Sequence, residues 1–205
     1  MRQVGVRGPA NGLILIAGLG NPGREYRDTR HNMGFRVIEA WADSLGVVLG
    51  SRRFNARSGK AVVEGRAAIL LCPQTFMNRS GLAVRACADY YGVETSDILV
   101  VHDDIDLPVG RLRVARNGGA GGHKGVQSII DCMGTSQFAR LRIGVGRPTT
   151  PQPVEAFVLS PMGAETKSTL EEVVRLAVRA CELFVSKGLE HAMAEANGQV
   201  LGQNQ

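Results

Sequence analysis

Long apolar segments are missing from this 205-residue sequence, and their absence excludes a membrane-spanning protein. Apolar runs such as residues 13–17 have the length of a strand, whereas a membrane helix needs roughly 18 such residues. Residues 1–12 lack the apolar stretch of a secretory signal and are predicted to form a loose tail. We therefore expect a cytoplasmic protein with no membrane partner. Its length suits one domain, predicted over residues 13–198, with a second tail at 199–205.

Cysteine and histidine are also scarce, and their spacing fits neither a disulfide scaffold nor a zinc site. The four cysteines form no CxxC pair, so they are predicted to be free core thiols in a reducing compartment. The four histidines form no HxxxH or HExxH pattern. This spacing makes a zinc site an unfavoured interpretation.

Charge is unevenly distributed along the chain, which carries a net +5. Residues 1–150 carry a net +8 and residues 151–205 a net −3. Twenty of the 24 cationic residues are arginine, whose planar fork suits phosphate groups. This pattern fits a polyanionic partner, and it equally fits a GC-rich genome that favours arginine codons.

Alternating strand and helix patterns predict an α/β fold with a mixed, partly parallel sheet. Strands are predicted at 13–18, 59–64, 67–72, 98–102, 112–114 and 139–145. Helices are predicted at 34–45, 80–91, 124–133, 165–187 and about 189–196. Residues 59–72 form a hairpin in this prediction, so the sheet cannot be purely parallel. The helix at 165–187 is long and amphipathic, and three prolines at 148–153 indicate a rigid loop before it.

The segment GLGNPG at residues 18–23 matches the glycine pattern of dinucleotide-binding proteins. Its context argues against that function, because Pro22 keeps Asn21 out of the helical region and helical periodicity begins only near residue 34. A nicotinamide-dependent oxidoreductase is thus the weaker interpretation. The loop instead presents Asn21 beyond the carboxyl end of a strand, where open α/β sheets place their sites.

His31 and Asp103 are the strongest candidates for catalysis. Each follows a predicted strand, and if the two strands are neighbours, the two side chains meet at one edge of the sheet. A carboxylate that holds one imidazole nitrogen leaves the other nitrogen free to take a proton from water. The acidic segment HDDID at 102–106 also allows a metal site or a solvated turn.

Two further segments leave strand ends with residues suited to binding. In QTFMN, at 74–78, Asn78 could donate to a carbonyl and Phe76 could stack on a base, although a core residue and a helix cap are the alternatives. The segment NGGAGGHKG, at 117–125, has five glycines and leads into a helix N-terminus. Such a loop suits close approach of backbone to phosphate or peptide, unless it is a flexible connector.

Together these segments closely resemble the bacterial-type peptidyl-tRNA hydrolases. The resemblance covers residues 13–198 and rests on six blocks in order: GLGNPG, TRHNMGF, PQTFMNRSG, HDDIDLPVG, NGGAGGHKG and RLRIGVGRP. It implies a single domain with a twisted mixed sheet between helices, a monomer, and no metal or cofactor. It also implies hydrolysis of the ester between a peptide and the terminal ribose of tRNA, which recycles tRNA from peptidyl-tRNA released from or stalled on ribosomes. Less closely, the chain resembles chloroplast homologues that serve as RNA-splicing cofactors without catalysis.

The resemblance also implies roles for individual residues. His31 matches the family's general base, Asp103 the carboxylate that holds it, and Asn21 the residue that distinguishes blocked from free aminoacyl-tRNA. The remaining implied positions contact the tRNA acceptor end, its terminal adenosine or the peptide; they are Tyr26, Phe76, Asn78 and Arg142.

The chain departs from the family at Lys124, where the family commonly has asparagine in contact with substrate. A second basic position of the family is Ala115 here, and residues 197–205 lack the basic tail of some members. A cation in the first turn of a helix costs about 0.3–1 kcal/mol. We therefore expect Lys124 to meet an anion, which the resemblance places in the substrate, unless its side chain extends outward into solvent.

Overall fold

A six-stranded mixed sheet forms the centre of the computed structural model, which describes residues 12–163 and 167–198. The strands are β1 (Ile14–Gly18), β2 (Ala56–Val63), β3 (Arg66–Pro73), β4 (Ile98–Asp104), β5 (Leu112–Ala115) and β6 (Ala139–Gly144). Their order across the sheet is β2-β3-β1-β4-β6-β5. The strands β3, β1, β4 and β6 are parallel, and the edge strands β2 and β5 are antiparallel to their neighbours. The predicted α/β class and mixed sheet are confirmed.

Helices cover both faces of this sheet. They are α1 (Met33–Ser44), α2 (Ser80–Tyr91), α3 (Lys124–Met133), α4 (Val154–Val158), α5 (Lys167–Lys187) and α6 (Leu189–Asn197). One apolar cluster joins the sheet to α1, α5 and α6, and it includes the fully buried Trp41. The other cluster joins the opposite face to α2 and α3. Alternation of side chains along the strands produces these two cores.

The predicted elements agree with the structure except at their ends and in one segment. The strands of the hairpin are longer than predicted, and α1 begins one residue earlier. Residues 154–158, predicted as part of a rigid loop, form the short helix α4 directly after Pro153. Proline is compatible with the start of a helix because its missing N–H would have no intrahelical acceptor there. The tail 1–11, the start of the predicted helix at 165–166, and residues 199–205 lie outside the described residues.

Close packing of two glycines places the start of α1 against the sheet. A Cβ on Gly34 would lie 2.3 Å from the Leu19 nitrogen and 2.4 Å from the Val101 oxygen. A Cβ on Gly18 would lie 2.3 Å from the Gly34 oxygen. Only glycine permits this approach. It brings the turn before α1, a 3₁₀ helix at Arg30–Asn32, over the carboxyl ends of β1 and β4.

The cysteines are free, as predicted, and three of the four are buried. Burial raises the pKa of the Cys87 thiol to about 11, so it stays protonated at neutral pH. Among the described helices, none is both long and apolar enough to cross a bilayer.

Candidate active site

A cleft of about 600 Å³ opens at the carboxyl ends of the central parallel strands. The strands β1 and β4 are neighbours, with Gly18 opposite Val101. This is the condition under which His31 and Asp103 were predicted to meet at one edge of the sheet. Seven of the eight predicted site residues line this cleft: Asn21, Tyr26, His31, Phe76, Asn78, Asp103 and Lys124. Arg142, the eighth, lies on β6 outside the lining.

His31 and Asp103 form a direct contact at the base of the cleft. The Nδ1 atom of His31 lies 2.9 and 3.0 Å from the two carboxylate oxygens of Asp103. Both residues are buried, and the Asp103 side chain is only 2% exposed. A carboxylate accepts from Nδ1–H, which leaves Nε2 of His31 as the unprotonated nitrogen available to a ligand in the cleft. This is the geometry of an imidazole held as a base.

A second histidine, His123, shares the same carboxylate. Its Nε2 lies 3.0 Å from Oδ1 of Asp103, while its Nδ1 accepts the backbone N–H groups of Gly125 and Val126 at the start of α3. Because Nδ1 is an acceptor, the proton is on Nε2 and is donated to Asp103. His123 is thus a fixed donor that orients Asp103.

His102 completes a row of three imidazoles. Its ring lies edge-on to that of His123, 4.7 Å between centroids, and the His31 ring is 4.8 Å from His123. The Nδ1–H of His102 donates to the backbone oxygen of Asp103 at 2.7 Å. Burial, reinforced by the neighbouring His123, lowers the pKa of His102 to about 3, so this ring is neutral. His102 therefore contributes a neutral ring that packs against His123, and no charge.

Asp103 remains ionised although it is fully buried. Burial alone would raise its pKa, but His123 and His31 hold the pKa of this carboxyl well below its usual range. A permanently charged carboxylate beside His31 favours the imidazolium that forms when the ring accepts a proton. The pair can therefore store a proton during a reaction.

Asn21, which lines the cleft together with His31 and Asp103, is held rigidly. Its backbone exchanges hydrogen bonds with the side chain of Asn32, at 2.8 and 3.0 Å. Its Oδ1 accepts the Met77 N–H at 2.8 Å, which fixes the orientation of the amide. The Nδ2 group then remains to donate to an acceptor in the cleft.

The rim of the cleft contains the predicted stacking and polar residues. Phe76 is 60% exposed and lines the cleft, so its ring is accessible to a ligand there. Asn78, two residues later, is exposed, and Tyr26, which also lines the cleft, is half-buried. An aromatic face and two polar groups can therefore reach a ligand that extends out of the cleft.

Lys124 lies on the rim and pairs with a residue of the same chain. Its Nζ is 2.8 Å from Oε1 of Glu155 in α4, and both side chains are more than half exposed. In the structure the ion-pair partner of Lys124 is Glu155 of the same chain, whereas the sequence analysis placed the anion in the substrate.

Arg142 belongs to a basic face at the edge of the sheet. It forms an ion pair with Asp104 on β4 and lies opposite Arg113 of β5. Arg140, two residues earlier on the same face, is buried against the Phe138 ring at 4.4 Å. Burial lowers the pKa of Arg140, and none of the ion pairs among the described residues involves it.

Within the described residues, one set of side chains could hold a metal ion: His31, Asp103 and His123, whose ligand atoms all lie within 4.8 Å of one another. In the observed arrangement each imidazole N–H already has the carboxylate as its acceptor. The set is therefore satisfied as a hydrogen-bonded network in the structure.

The sequence analysis did not identify His123 or His102 as site residues. A signal for His123 was present, since it directly precedes a predicted helix within the glycine-rich segment, where a side chain can cap the helix. His102 carries no comparable signal, because it lies within an apolar strand.

Comparisons with known proteins identify close relatives over nearly the whole chain. Residues 15–204 match the family model described as peptidyl-tRNA hydrolase. The peptidyl-tRNA hydrolase of Bacillus subtilis is 43% identical over 92% of this chain and 100% of its own length. That of Geobacillus thermodenitrificans is 45% identical over 90% and 100%. The crystal structure of peptidyl-tRNA hydrolase from Acinetobacter baumannii matches with a TM-score of 0.86 and 36% identity, covering 92% of this chain and 96% of that one.

Proposed function

This chain belongs to the peptidyl-tRNA hydrolase family, and from that premise we propose how it hydrolyses the ester between peptide and tRNA. The observation that carries the mechanism is the contact between His31 and Asp103 at the base of the cleft. His31 is the general base, Asp103 is the carboxylate that orients and supports it, and water is the nucleophile. A catalytically silent splicing cofactor is not favoured, because the relatives are named as hydrolases.

The reaction begins when Nε2 of His31 takes a proton from a water molecule in the cleft. The hydroxide equivalent adds to the ester carbonyl carbon while Asp103 stabilises the imidazolium. The tetrahedral intermediate then collapses, the bond to the ribose oxygen breaks, and His31 returns its proton to that oxygen. The products are a peptide with a free carboxyl group and tRNA. Assistance of this kind contributes about 10²–10⁴-fold to the rate.

Asn21 and Asn78 position the carbonyl and stabilise its developing negative charge. The support for Asn21 is its fixed amide, whose Oδ1 is occupied by Met77. Donors that are already oriented need no reorganisation when charge develops, which makes them effective. The same amides hydrogen-bond the blocked α-amide of a peptide, and a free α-ammonium would leave them without an acceptor.

The tRNA end is proposed to contact the rim and the basic face. Phe76 stacks on the terminal adenosine and Tyr26 contacts the tRNA end or the peptide. Arg142, with Arg113 opposite it, binds phosphates of the acceptor stem. Lys124 contributes to substrate binding from the rim. We further propose that the protein acts as a monomer in the cytosol.

The experiment that tests this function compares two substrates with the purified protein. We expect N-acetyl-aminoacyl-tRNA to be cleaved and free aminoacyl-tRNA to be left intact, because only the first has a blocked amide. Equal cleavage in the presence of a chelator is expected for a metal-independent site. Failure to cleave the N-acetylated substrate contradicts the function, and loss of activity with chelator assigns a metal to the set around Asp103.

The same assay, repeated at rising salt concentration, tests the contribution of the basic face. We expect KM to rise with salt, because arginines that bind tRNA phosphates must displace counterions, and this displacement is less favourable at high salt. A plot of log affinity against log salt concentration should have a slope of about −0.9 for each phosphate contact on a duplex. Arg113→Gln should reduce that slope. A KM independent of salt contradicts binding of the acceptor stem by this face.

A further inference from the structure

Helix α4 forms one wall of the cleft. The cleft is lined by Val154, Glu155, Val158 and Leu159, the last directly after the helix. The helix has only five residues, too few to be stable without packing. Its position at the cleft therefore depends on what holds its two ends.

The carboxyl end of α4 is attached to the turn that carries the catalytic base. Arg30, the residue before His31, directs Nη1 to the Ser160 hydroxyl at 2.6 Å and the Pro161 carbonyl at 2.8 Å. Its guanidinium also lies 4.1 Å from the centroid of the Phe157 ring, which is buried. Several half-buried contacts from one arginine make this attachment strong.

The amino end of α4 has a different kind of attachment. Glu155, in its first turn, pairs with Lys124 at the start of α3, and both residues line the cleft. The pair is exposed, with side chains 58% and 66% accessible. An exposed pair is weak, and salt screens it. It can hold α4 in place and still release it easily.

We propose that Lys124 and Glu155 form a latch that holds α4 in place as a wall of the cleft, so that Lys124 promotes substrate binding through α4 and not by touching a tRNA phosphate. This inference deepens the proposed function and depends on it. Lys124 and Glu155 are positioning residues in this role. Arg30 holds the carboxyl end of α4 firmly, whereas the latch holds its amino end and can release it.

The latch should affect substrate binding more than chemistry. The turn that carries His31 is fixed by Arg30 and by Asp103, so release of the amino end of α4 leaves the base in place. Release of the amino end removes a preformed wall of the cleft. The bound peptide must then order α4, and this ordering reduces the binding free energy. Loss of either charge should raise KM about two- to fivefold at low salt, the size typical of an exposed ion pair, while kcat changes less.

The test uses Glu155→Gln, Lys124→Gln and the exchanged pair Lys124→Glu/Glu155→Lys. Steady-state KM and kcat for N-acetyl-aminoacyl-tRNA are measured at low and high salt, with thermal unfolding as a check on folding. Asp89→Asn is the matched control, because it breaks the Arg85–Asp89 pair, which is similarly exposed and lies in α2 outside the cleft.

We expect both single variants to raise KM equally at low salt, the exchanged pair to restore it, and all differences to vanish at high salt. A direct contact between Lys124 and phosphate gives the opposite pattern: Glu155→Gln leaves KM unchanged or lowers it, and the exchanged pair binds worst. That pattern overturns the latch. An inactive wild-type protein would instead contradict the proposed function, so the two failures are distinguishable.

Discussion

Replacing His31 with alanine is expected to lower turnover of N-acetyl-aminoacyl-tRNA by at least about 10²-fold, with tRNA affinity changed by less than about threefold. The variant removes the ring whose Nδ1 contacts Asp103 and whose Nε2 takes the proton from water in the proposed mechanism. The tRNA is held elsewhere, by the rim and the basic face. Single-turnover rates and equilibrium binding of uncharged tRNA measure the two effects separately.

The fold of this variant should persist, because Asp103 keeps its hydrogen bond from His123. His191, in α6 outside the cleft, provides a control replacement to alanine, for which we expect the wild-type rate. A parallel loss of affinity and rate in the His31 variant would show that His31 serves mainly to bind tRNA.

The second large effect is expected for Asp103→Asn, which should slow turnover strongly but less than His31→Ala. The amide keeps one acceptor oxygen for the two imidazoles and places an NH₂ group where the second oxygen lay, 3.0 Å from Nδ1 of His31. Two donors then face each other, and His31 is driven towards the tautomer whose Nε2 is protonated and cannot act as a base. The base itself survives, which explains the residual rate.

The measurement is the single-turnover rate at saturating enzyme, with Asp106→Asn as the control. Asp106 is exposed, pairs with Arg147 and does not line the cleft, so its replacement should be neutral. Wild-type turnover by Asp103→Asn would remove this carboxylate from the mechanism.

Much of the fold could be predicted, because the periodicity of apolar residues in the sequence agrees with the burial of side chains along most of the chain. The helices Ser80–Tyr91 and Lys124–Met133 have the predicted bounds, since each combines a regular apolar face with a glycine at its end. The helix α4 could not be predicted, because its five residues follow prolines and its stability comes from Arg30 and Lys124, which lie far away in sequence.

Site residues could be predicted where they directly follow the ends of strands. They could not be predicted where tertiary contacts determine the role of the residue. His31 and Asp103 meet because β1 and β4 are neighbours, which the sequence could suggest only as a condition. The role of His123 depends on two backbone N–H groups and one carboxylate oxygen converging on one ring. Glu155, 31 residues from Lys124, carries no local sign that it meets the lysine.

The central claim is that neutral His31, supported by an ionised Asp103, activates water. The pH dependence of the single-turnover rate of the wild-type protein, between about pH 5 and 8, tests it most directly. Because the pKa of Asp103 is held well below its usual range, this carboxylate does not titrate there, and His102 stays neutral. Any acid limb of the wild-type rate therefore comes from neither of these two groups, and it should disappear in the residual activity of His31→Ala. An acid limb that persists without His31 would contradict the claim.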